Sequence, residues 1–312
     1  MTASDSLAGR TVLVTGASGF LGTAVCRLGV GLGCRLHGLT RTSISAPGIR
    51  VLHGDLSDAS IISEIVADLS PDVILHLAAA GVSYGSGQMS ELVRVNVLGL
   101  TLLLDAAARL ANAPVVVVAG SGFEYGPRGR PLQEDDLLAP SSPYGASKAA
   151  ATMVASGYAD RLPVAVLRLF SLYGPGEREP RLAPFVIGEA RRGRPIELTG
   201  GEQVRDYTFV DDAAEAFWVA ASRLAPDRGL RVFNVGSGQP LCLRDFVAEI
   251  ADVLRGHGIE STLLFGQRPY RTDETMHYVA DVSRIGDDLG WRATTPLRRG
   301  LEAMVELSLG QP

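Results

Sequence analysis

The chain has 312 residues, of which 46% are hydrophobic and 20% charged, and its formal net charge is −5. This composition predicts a globular protein with a core large enough for two lobes, and the acidic balance argues against a nucleic-acid partner. No apolar run reaches the roughly 18 residues that a membrane span needs, and no signal peptide is expected, so we expect no membrane partner. The three cysteines and five histidines lack metal-ligand spacing, which favours a reduced, cytoplasmic protein without a metal site.

Short β-branched apolar runs alternate with stretches of helical spacing through the first half of the chain. The runs that predict strands are Thr11–Val14, Arg35–Leu39, Arg50–Leu52, Val73–Leu77, Val115–Val118 and Val164–Leu169. The stretches that predict helices between them include Phe20–Leu32, Ile61–Leu69, Glu91–Leu110 and Tyr144–Leu162. Apolar strands that alternate with helices are typical of a parallel sheet covered on both faces. We therefore predict an α/β protein with a doubly wound parallel sheet of the Rossmann type.

After about Leu172 the pattern changes to a loop rich in proline, glycine and charge. The elements predicted beyond it are helices at Ala183–Arg192, Val210–Arg223 and Leu243–Leu254 and a strand at Val232–Val235. Asp211 or Asp212 is a candidate N-cap of the helix that starts at Val210. We predict a Rossmann domain from residues 1–171, to which residues 207–235 return, and a smaller α/β substrate-binding lobe from residues 172–206 and 236–312.

The first predicted strand runs into a glycine-rich turn, TGASGFLG, with its glycines spaced G-x-x-G-x-x-G. Glycines allow the backbone to turn sharply and to approach a pyrophosphate, and the N-terminus of the next helix offers free N–H groups to the phosphates. An ordinary turn between strand and helix is the alternative interpretation. The cofactor contacts predicted in this turn are Gly16, Ser18, Gly19, Phe20, Leu21 and Gly22.

The second strand ends in GLTRTS, where an acidic residue would bind the ribose hydroxyls of NAD. Arg41 and Ser43 suit a 2′-phosphate instead, so we predict NADP(H) as the cofactor of the Rossmann domain. Asp55, after the third strand, is predicted to accept a hydrogen bond from the adenine amino group, whereas Asp58 has the place of a helix N-cap. The remaining predicted cofactor contacts are Leu56, Leu77, Ala78, Ala79, Ala80, Asn96 and Phe170. Asn96 is polar within an apolar helix, so we expect its amide to be hydrogen-bonded and to fix the neighbouring strand ends.

Three side chains form the predicted catalytic centre. Tyr144 and Lys148 are spaced one helical turn apart, so they share a helix face. A Lys148 ammonium near the phenol and the nicotinamide ribose would favour the phenolate, allowing Tyr144 to exchange a proton near neutral pH. Both side chains are therefore also predicted cofactor contacts. Ser121 follows a predicted strand at the carboxyl edge where open α/β sheets bind ligands, and its hydroxyl can bond a reacting oxygen.

With these residues in place, the chain resembles the extended short-chain dehydrogenase/reductase family, which includes nucleotide-sugar epimerases, dehydratases and ketoreductases. The resemblance runs from Thr11 to about Leu301 and rests on TGASGFLG, HGDLSD, HLAAA, SGFEYG, SPYGASK, LRLFSLYGPG, EQVRDYTFVDD, FNVGSG and ADVSRIGDDLGW. It implies the catalytic role of Ser121, which lies four residues before a Tyr-Gly pair. Dehydratases of the family carry an acid and a base directly after this serine. Here those positions are Gly122 and Phe123, and Glu124 is offset and expected to face elsewhere, which argues against 4,6-dehydration.

The resemblance also implies a nucleoside-diphosphate sugar as the substrate, with arginines on its pyrophosphate. Arg205 matches one of these arginines, and Arg271 matches the other by its spacing, with Arg268 as a rival. Phe123 and Ser171 are further predicted substrate contacts, although many relatives have asparagine in place of Ser171.

These features favour NADPH-dependent reduction of a nucleoside-diphosphate 4-keto-6-deoxyhexose. The predicted roles are proton donation by Tyr144, a lowered phenol pKa through Lys148 and steadying of the carbonyl by Ser121. One alternative is a nucleotide-sugar 4-epimerase that keeps NAD bound, and a remote one is an NADP-binding sensor without turnover. We also expect a homodimer built on the helices predicted at Glu91–Leu110 and Tyr144–Leu162, because the first is apolar nearly all round.

Overall fold

The computed structural model describes residues 7–41, 47–81, 88–224, 229–272 and 274–310. Its strands are β1 (Thr11–Thr15), β2 (Arg35–Thr40), β3 (Ile49–His53), β4 (Val73–His76), β5 (Val115–Ser121), β6 (Pro163–Leu169), β7 (Ser171–Tyr173), β8 (Ile196–Leu198), β9 (Val204–Phe209), β10 (Gly229–Val235), β11 (Pro240–Cys242), β12 (Leu263–Phe265) and β13 (His277–Tyr278). Its α-helices are α1 (Phe20–Gly31), α2 (Ala59–Leu69), α3 (Met89–Leu92), α4 (Gly99–Ala107), α5 (Pro143–Ser156), α6 (Leu182–Arg191), α7 (Val210–Arg223), α8 (Leu243–Gly256), α9 (Ser283–Leu289) and α10 (Leu297–Leu309). None of these helices is long and apolar enough to cross a bilayer.

Seven parallel strands form the main sheet in the order β10-β6-β5-β4-β1-β2-β3. The strand order reverses between β1 and β4, and this crevice at the carboxyl edge is where sheets of this kind bind ligands. Thr15 at the end of β1 is in register with Leu39 on one side and His76 on the other. The sheet confirms the predicted α/β, doubly wound parallel architecture.

Alternate side chains of β1 pack into the hydrophobic cores on opposite faces of the main sheet, as the two-residue period of a strand requires. Val12 and Val14 pack with α1 and α7, where Trp218 donates its indole N–H to the carbonyl of Val25 at 2.9 Å. Leu13 faces the other side and packs with α2, α4 and α5. Each face of the sheet is therefore covered by helices.

A second, smaller sheet is centred on β9, which pairs with β7 and β13 in parallel and with β11 in antiparallel. Strands β8 and β12 form a separate pair, and helices α6, α8 and α10 enclose a further core with these elements. Between these segments, β10 returns to the main sheet beside β6. The division of the chain into two lobes and the boundaries between them stay a prediction.

The helix predicted at Glu91–Leu110 differs from the observed structure. The chain forms α3, then a π-helical segment at Val93–Leu98, then α4. A π-turn rotates side chains relative to a regular α-helix, and such turns are frequent at functional sites. The helix predicted at Tyr144–Leu162 also ends earlier, because α5 stops at Ser156.

The prediction that Asp211 or Asp212 caps α7 is wrong. The N-cap is Phe209, with no side-chain cap, and both aspartates lie inside the first helical turn. From there the Asp212 carboxylate accepts hydrogen bonds from the backbone N–H and hydroxyl of Thr295. Asp58, in contrast, is the N-cap of α2, accepting from two backbone N–H groups.

Candidate active site

The glycine-rich turn brings β1, α1 and the end of β4 into close contact. Gly16 has φ +70°, and a Cβ atom there would lie 2.7 Å from the backbone nitrogen of Ala78. A Cβ atom at Gly22 would lie 2.1 Å from the carbonyl oxygen of Gly16. Gly19 is the N-cap of α1 and supplies no capping side chain. The first turn of α1 therefore presents backbone N–H groups to the crevice, as a phosphate-binding turn requires.

The other predicted cofactor residues of this edge lie around the same crevice. Thr40, at the end of β2, donates its hydroxyl to the Ser18 hydroxyl at 3.3 Å. Half-buried side chains line the turn and the end of β4, namely Phe20, Leu21, Leu77, Ala78, Ala79 and Ala80. Arg41 is exposed at the end of a described segment, and Ser43 lies outside the described residues.

Asp55 is strongly engaged with its own loop. Its carboxylate accepts hydrogen bonds from the backbone N–H of Ser57 at 2.9 Å and from the Ser57 hydroxyl at 2.7 Å, and Arg94 lies within 3.3 Å. These contacts, led by the Ser57 N–H, lower the pKa of Asp55 to about 2. The carboxylate is therefore charged and well oriented, and the adenine contact stays a prediction. The adjacent Leu56 is buried in the core beneath it.

The three predicted catalytic side chains converge at the carboxyl end of the main sheet. Ser121 ends β5, while Tyr144 and Lys148 lie on α5. Ser121 and Lys148 are buried and Tyr144 is half-buried. The Ser121 hydroxyl accepts a hydrogen bond from the N–H of Phe123 at 3.2 Å and also interacts with the Tyr144 phenol, whose pKa it lowers.

The electrostatics of this centre correct one expectation. Burial raises the pKa of Tyr144 to about 12, and the negative charge of Glu124 adds to this rise. Burial lowers the pKa of Lys148 to about 8, with Glu124 acting in the opposite direction. The phenol pKa is therefore not lowered overall by the chain's own groups, because desolvation outweighs the opposing effects of the Ser121 hydroxyl and the Arg181 charge. A phenolate at neutral pH needs a further positive charge close to Tyr144.

Asn96 ties the end of β4 to the catalytic helix, as expected for a buried amide. Its side-chain oxygen accepts from the N–H of Ala80 at 2.8 Å, and its amide donates to the Ser147 hydroxyl at 2.9 Å. Ser147 in turn donates to the carbonyl oxygen of Tyr144 at 2.8 Å. The π-helical segment carries Asn96 and places its amide in the interior.

Tyr278 is part of the centre, and the sequence reasoning missed it. Its ring stacks on Phe123, with 4.5 Å between centroids, and contacts Phe170 at 4.7 Å. Its hydroxyl donates to the carbonyl oxygen of Leu169 at 3.2 Å and also interacts with the Ser121 hydroxyl. A Cβ atom at Gly122 would lie 2.8 Å from this hydroxyl. The lack of a side chain at Gly122 was the one signal in the sequence that something approaches closely there.

Glu124 points away from this pocket, as the sequence suggested. Its carboxylate is fully buried and hydrogen-bonds the backbone N–H of Ser121 and the side chains of Thr152 and Arg168. It is therefore unavailable as an acid or base for a sugar.

The first predicted substrate arginine, Arg205, lies on the smaller sheet, and the other two candidates, Arg268 and Arg271, lie between β12 and β13. Arg205 on β9 is largely buried, and its guanidinium lies 2.5 Å from the Glu274 carboxylate. Arg205 is in register with Tyr278, whose pKa its positive charge lowers. Arg268 lies over the Phe185 ring at 5.3 Å, and Arg271 is exposed.

Ser171 and Arg181 lie on or next to β7, which pairs with β9. Ser171, the other predicted substrate contact, is in register with Tyr207 on β9. Arg181, which the sequence reasoning missed, donates to the carbonyl of Leu172 at 3.2 Å and pairs with Glu177. Its positive charge also lowers the pKa of Tyr144, so the guanidinium lies near enough to the phenol to act on it electrostatically. The substrate roles of these residues stay predictions.

Within the described ranges, no three His, Cys, Asp or Glu side chains are grouped so that they could hold a metal ion. The side chains of the centre can transfer a proton and form hydrogen bonds beside the glycine-rich turn.

Comparison with known proteins extends this description. The model of the NAD dependent epimerase/dehydratase family matches residues 12–236. The solved structure of MoeE5 in complex with UDP-glucuronic acid and NAD has a TM-score of 0.86 and 33% identity, covering 96% of this chain and 99% of its own. UDP-glucuronate 4-epimerase 4 of Arabidopsis thaliana is 29% identical over 95% of this chain and 75% of its own length. A dTDP-glucose 4,6-dehydratase of Xanthomonas campestris is 28% identical over 95% of this chain and 92% of its own.

Proposed function

The chain belongs to the NAD-dependent epimerase/dehydratase family, and from this premise we propose that it is a nucleotide-sugar 4-epimerase that works with bound NAD. The proposed substrate class is a UDP-hexose or UDP-hexuronate. The relatives named above support this choice, because one is a UDP-glucuronate 4-epimerase and another binds UDP-glucuronic acid together with NAD. This reverses the order of the two main interpretations that the sequence suggested.

The residues packed around Gly122 are the main observation that favours an epimerase over a dehydratase. Elimination of water needs an acid and a base directly after the catalytic serine, as the family resemblance implies. At the first of these positions, a side chain on Gly122 would collide with the Tyr278 hydroxyl and the Phe170 ring. The second position is Phe123, whose ring is stacked on Tyr278. Proton exchange at a single hydroxyl, which epimerisation at C4 requires, needs neither group.

The mechanism follows from the three side chains of the centre. When bound, NAD would supply the hydride acceptor and a positive charge that favours the Tyr144 phenolate. Tyr144 takes the proton of the C4 hydroxyl and later returns it to the same oxygen. Ser121 donates a hydrogen bond to that oxygen, which stabilises the carbonyl that forms. Lys148 remains cationic below about pH 8 and is placed to hold the ribose.

The glycine-rich turn fits the cofactor that this mechanism needs. The close contacts of Gly16 and Gly22 leave the backbone N–H groups of the turn as its ligand-facing surface. The pyrophosphate would lie at the N-terminus of α1, which carries no capping side chain. Asp55 and the small side chains after β4 would border the adenosine and nicotinamide halves of the cofactor.

The ketoreductase stays as the second candidate because of one residue. Arg41 follows β2 at the position that faces the adenosine ribose in this fold, and a guanidinium there suits a 2′-phosphate. A non-catalytic sensor is disfavoured, because Tyr144 and Lys148 are both present and the Tyr144 phenol interacts with the Ser121 hydroxyl.

Cofactor release and product analysis test the proposal together. The purified protein is denatured, the released dinucleotide is identified by mass spectrometry, and the protein is incubated with UDP-glucose, UDP-glucuronate and their C4 epimers without added reductant. We expect NAD and interconversion of one epimer pair, with Tyr144→Phe as the inactive control. An empty protein that consumes NADPH with a nucleoside-diphosphate 4-keto-6-deoxyhexose, and interconverts no epimers, would establish the ketoreductase instead.

A further inference from the structure

Glu124 is a buried charged side chain to which the proposed mechanism gives no task. It is 0% exposed, and both carboxylate oxygens are engaged. One oxygen accepts from the N–H of Ser121 at 2.8 Å, and the other accepts from the Thr152 hydroxyl at 2.8 Å and from Arg168 Nε at 2.9 Å. A single carboxylate therefore joins the end of β5, helix α5 and strand β6.

The hydrogen bond between Glu124 and the backbone of Ser121 is one half of a reciprocal pair. Ser121 accepts from the N–H of Phe123 through its hydroxyl, while Glu124 reaches back to the N–H of Ser121, which makes a capping box around the short helix at Gly122–Glu124. The backbone N–H and the hydroxyl of Ser121 are therefore both held within this turn.

The contact with Thr152 reaches the helix that carries the other two catalytic side chains. Tyr144, Lys148 and Thr152 follow one another at four-residue spacing, so they lie in one row along α5. Glu124 holds this row at Thr152 and holds Ser121 at the end of β5. The carboxylate thus sets the distance between the serine and the helix.

Charged and titratable groups meet this carboxylate from several elements. Arg168 on β6 pairs with it and also donates to the Tyr125 hydroxyl. The negative charge of Glu124 acts to raise the pKa of Tyr144 and Lys148 on α5 and that of Tyr278 on β13, although burial lowers the pKa of Lys148 overall. The Lys148 charge also acts on His76 of β4, because burial and, after it, this charge lower the pKa of His76 to about 3 and keep the imidazole neutral.

We propose that Glu124 is a positioning residue of the catalytic centre, which fixes Ser121 against α5 and places a buried negative charge beside Tyr144 and Lys148. A buried ion pair rarely adds net stability over neutral side chains of similar shape, so the Glu124–Arg168 pair is better explained by its effect on the site. The kinetic part of this inference rests on the proposed function, whereas its electrostatic part does not.

Lys148 is the only lysine of the chain, which makes the electrostatic part directly measurable. With 13C-lysine incorporated, the ε-carbon signal of the full-length protein reports the titration of this one side chain. Glu124→Gln should lower the midpoint from about 8, because the attraction that favours the ammonium is lost. A shift on the order of 1 pH unit is expected when an attracting unit charge near a buried ammonium is removed.

Two further variants keep this measurement decisive. Glu124→Gln leaves Arg168 as an unpaired buried cation, so the double variant Glu124→Gln with Arg168→Gln serves where the single one fails to fold. Its midpoint should fall by less than that of the single variant, because the double change removes the repulsion of Arg168 together with the attraction of Glu124. Thr152→Val is the matched control, since it removes a hydrogen bond from Glu124 but keeps the charge, and its midpoint should match the wild type.

Kinetics then test the positioning role. For Glu124→Gln we expect kcat to fall about 10- to 100-fold with a nearly unchanged KM, and both limbs of the pH profile to move to lower pH. Thr152→Val should lower kcat less and leave the limbs in place. A Lys148 midpoint that stays at the wild-type value in both glutamine variants overturns the proposal. A wild-type protein that epimerises no sugar overturns the proposed function instead, and the lysine titration still decides the role of Glu124.

Discussion

Gly22 offers a sharp test of the glycine-rich turn, because helix α1 supplies its own control. A Cβ atom at Gly22 would meet three backbone atoms, the nearest being the carbonyl oxygen of Gly16 at 2.1 Å. At Gly31, the last residue of the same helix, a Cβ atom would have nothing within 4 Å. The two Gly→Ala changes are chemically identical and differ only in what the added methyl group meets.

The expected effects have opposite signs. Alanine in place of glycine in a helix stabilises by about 0.5–1 kcal/mol, and less at a helix end. At Gly22 the backbone of the turn must move apart by about 1 Å, and forcing a methyl group into packed structure costs about 1–3 kcal/mol. Gly31→Ala should therefore be neutral or stabilising, and Gly22→Ala should be destabilising by about 1–2 kcal/mol, which corresponds to roughly 2–6 °C in Tm for a chain of this size.

Thermal unfolding and dinucleotide titration calorimetry measure both consequences. Because the same movement displaces the N–H groups that face the pyrophosphate, Gly22→Ala should also weaken NAD binding about tenfold or more, with Gly31→Ala at the wild-type Kd. If Gly22→Ala matched Gly31→Ala in both Tm and Kd, the turn would not be the tightly packed phosphate site described here.

Three further outcomes are expected. Tyr144→Phe should lower kcat by about 10²–10⁴-fold while NAD still binds with wild-type affinity, and turnover within threefold of wild type would remove Tyr144 from the mechanism. Burial lowers the pKa of Lys148 from 10.5 to about 8, so the unfolded state binds more protons than the folded state between these pH values. The free energy of unfolding in urea should therefore rise from pH 8 to pH 10.5 relative to that of Lys148→Met. Parallel pH curves for the two proteins would contradict this. Leu98 and Met153 expose 42% and 69% of their surface on the helices expected to pair in a dimer. Sedimentation at micromolar concentration should therefore give a mass of twice the 32.9 kDa of one chain, and the double variant Leu98→Asp with Met153→Glu should sediment as a monomer. A wild-type monomer would exclude the dimer.

The parts of the site that sequence alone could locate are those whose neighbours are close in the chain. The strand, glycines and helix of residues 11–31 form a local unit, and their tight contacts follow from the glycine spacing. The convergence of Ser121 with Tyr144 and Lys148 could be predicted because parallel strands end at one edge of a sheet.

Other parts depend on contacts between distant segments or on burial. Tyr278 reaches Ser121 from a strand of the smaller sheet, and no local pattern marks that approach. The pKa of Tyr144 depends on how much water the fold removes from it, and helical spacing to Lys148 carries no information about that burial. Glu124 was recognised as displaced from the catalytic position, but its role required the positions of Thr152 and Arg168.

The path of the chain between its two sheets limits how this protein can be recombined with its relatives. In the described segments, the chain leaves the main sheet after β6, returns at α7, and leaves again after β10. A substrate lobe exchanged as a single cassette after residue 171 would take α7 and β10 with it, and with them one edge of the sheet. A functional chimera therefore needs two separate grafts, one that carries β7 to β9 whole and one that begins after β10. The same path means that a ribosome must release residue 235 before the last strand of the sheet can pair.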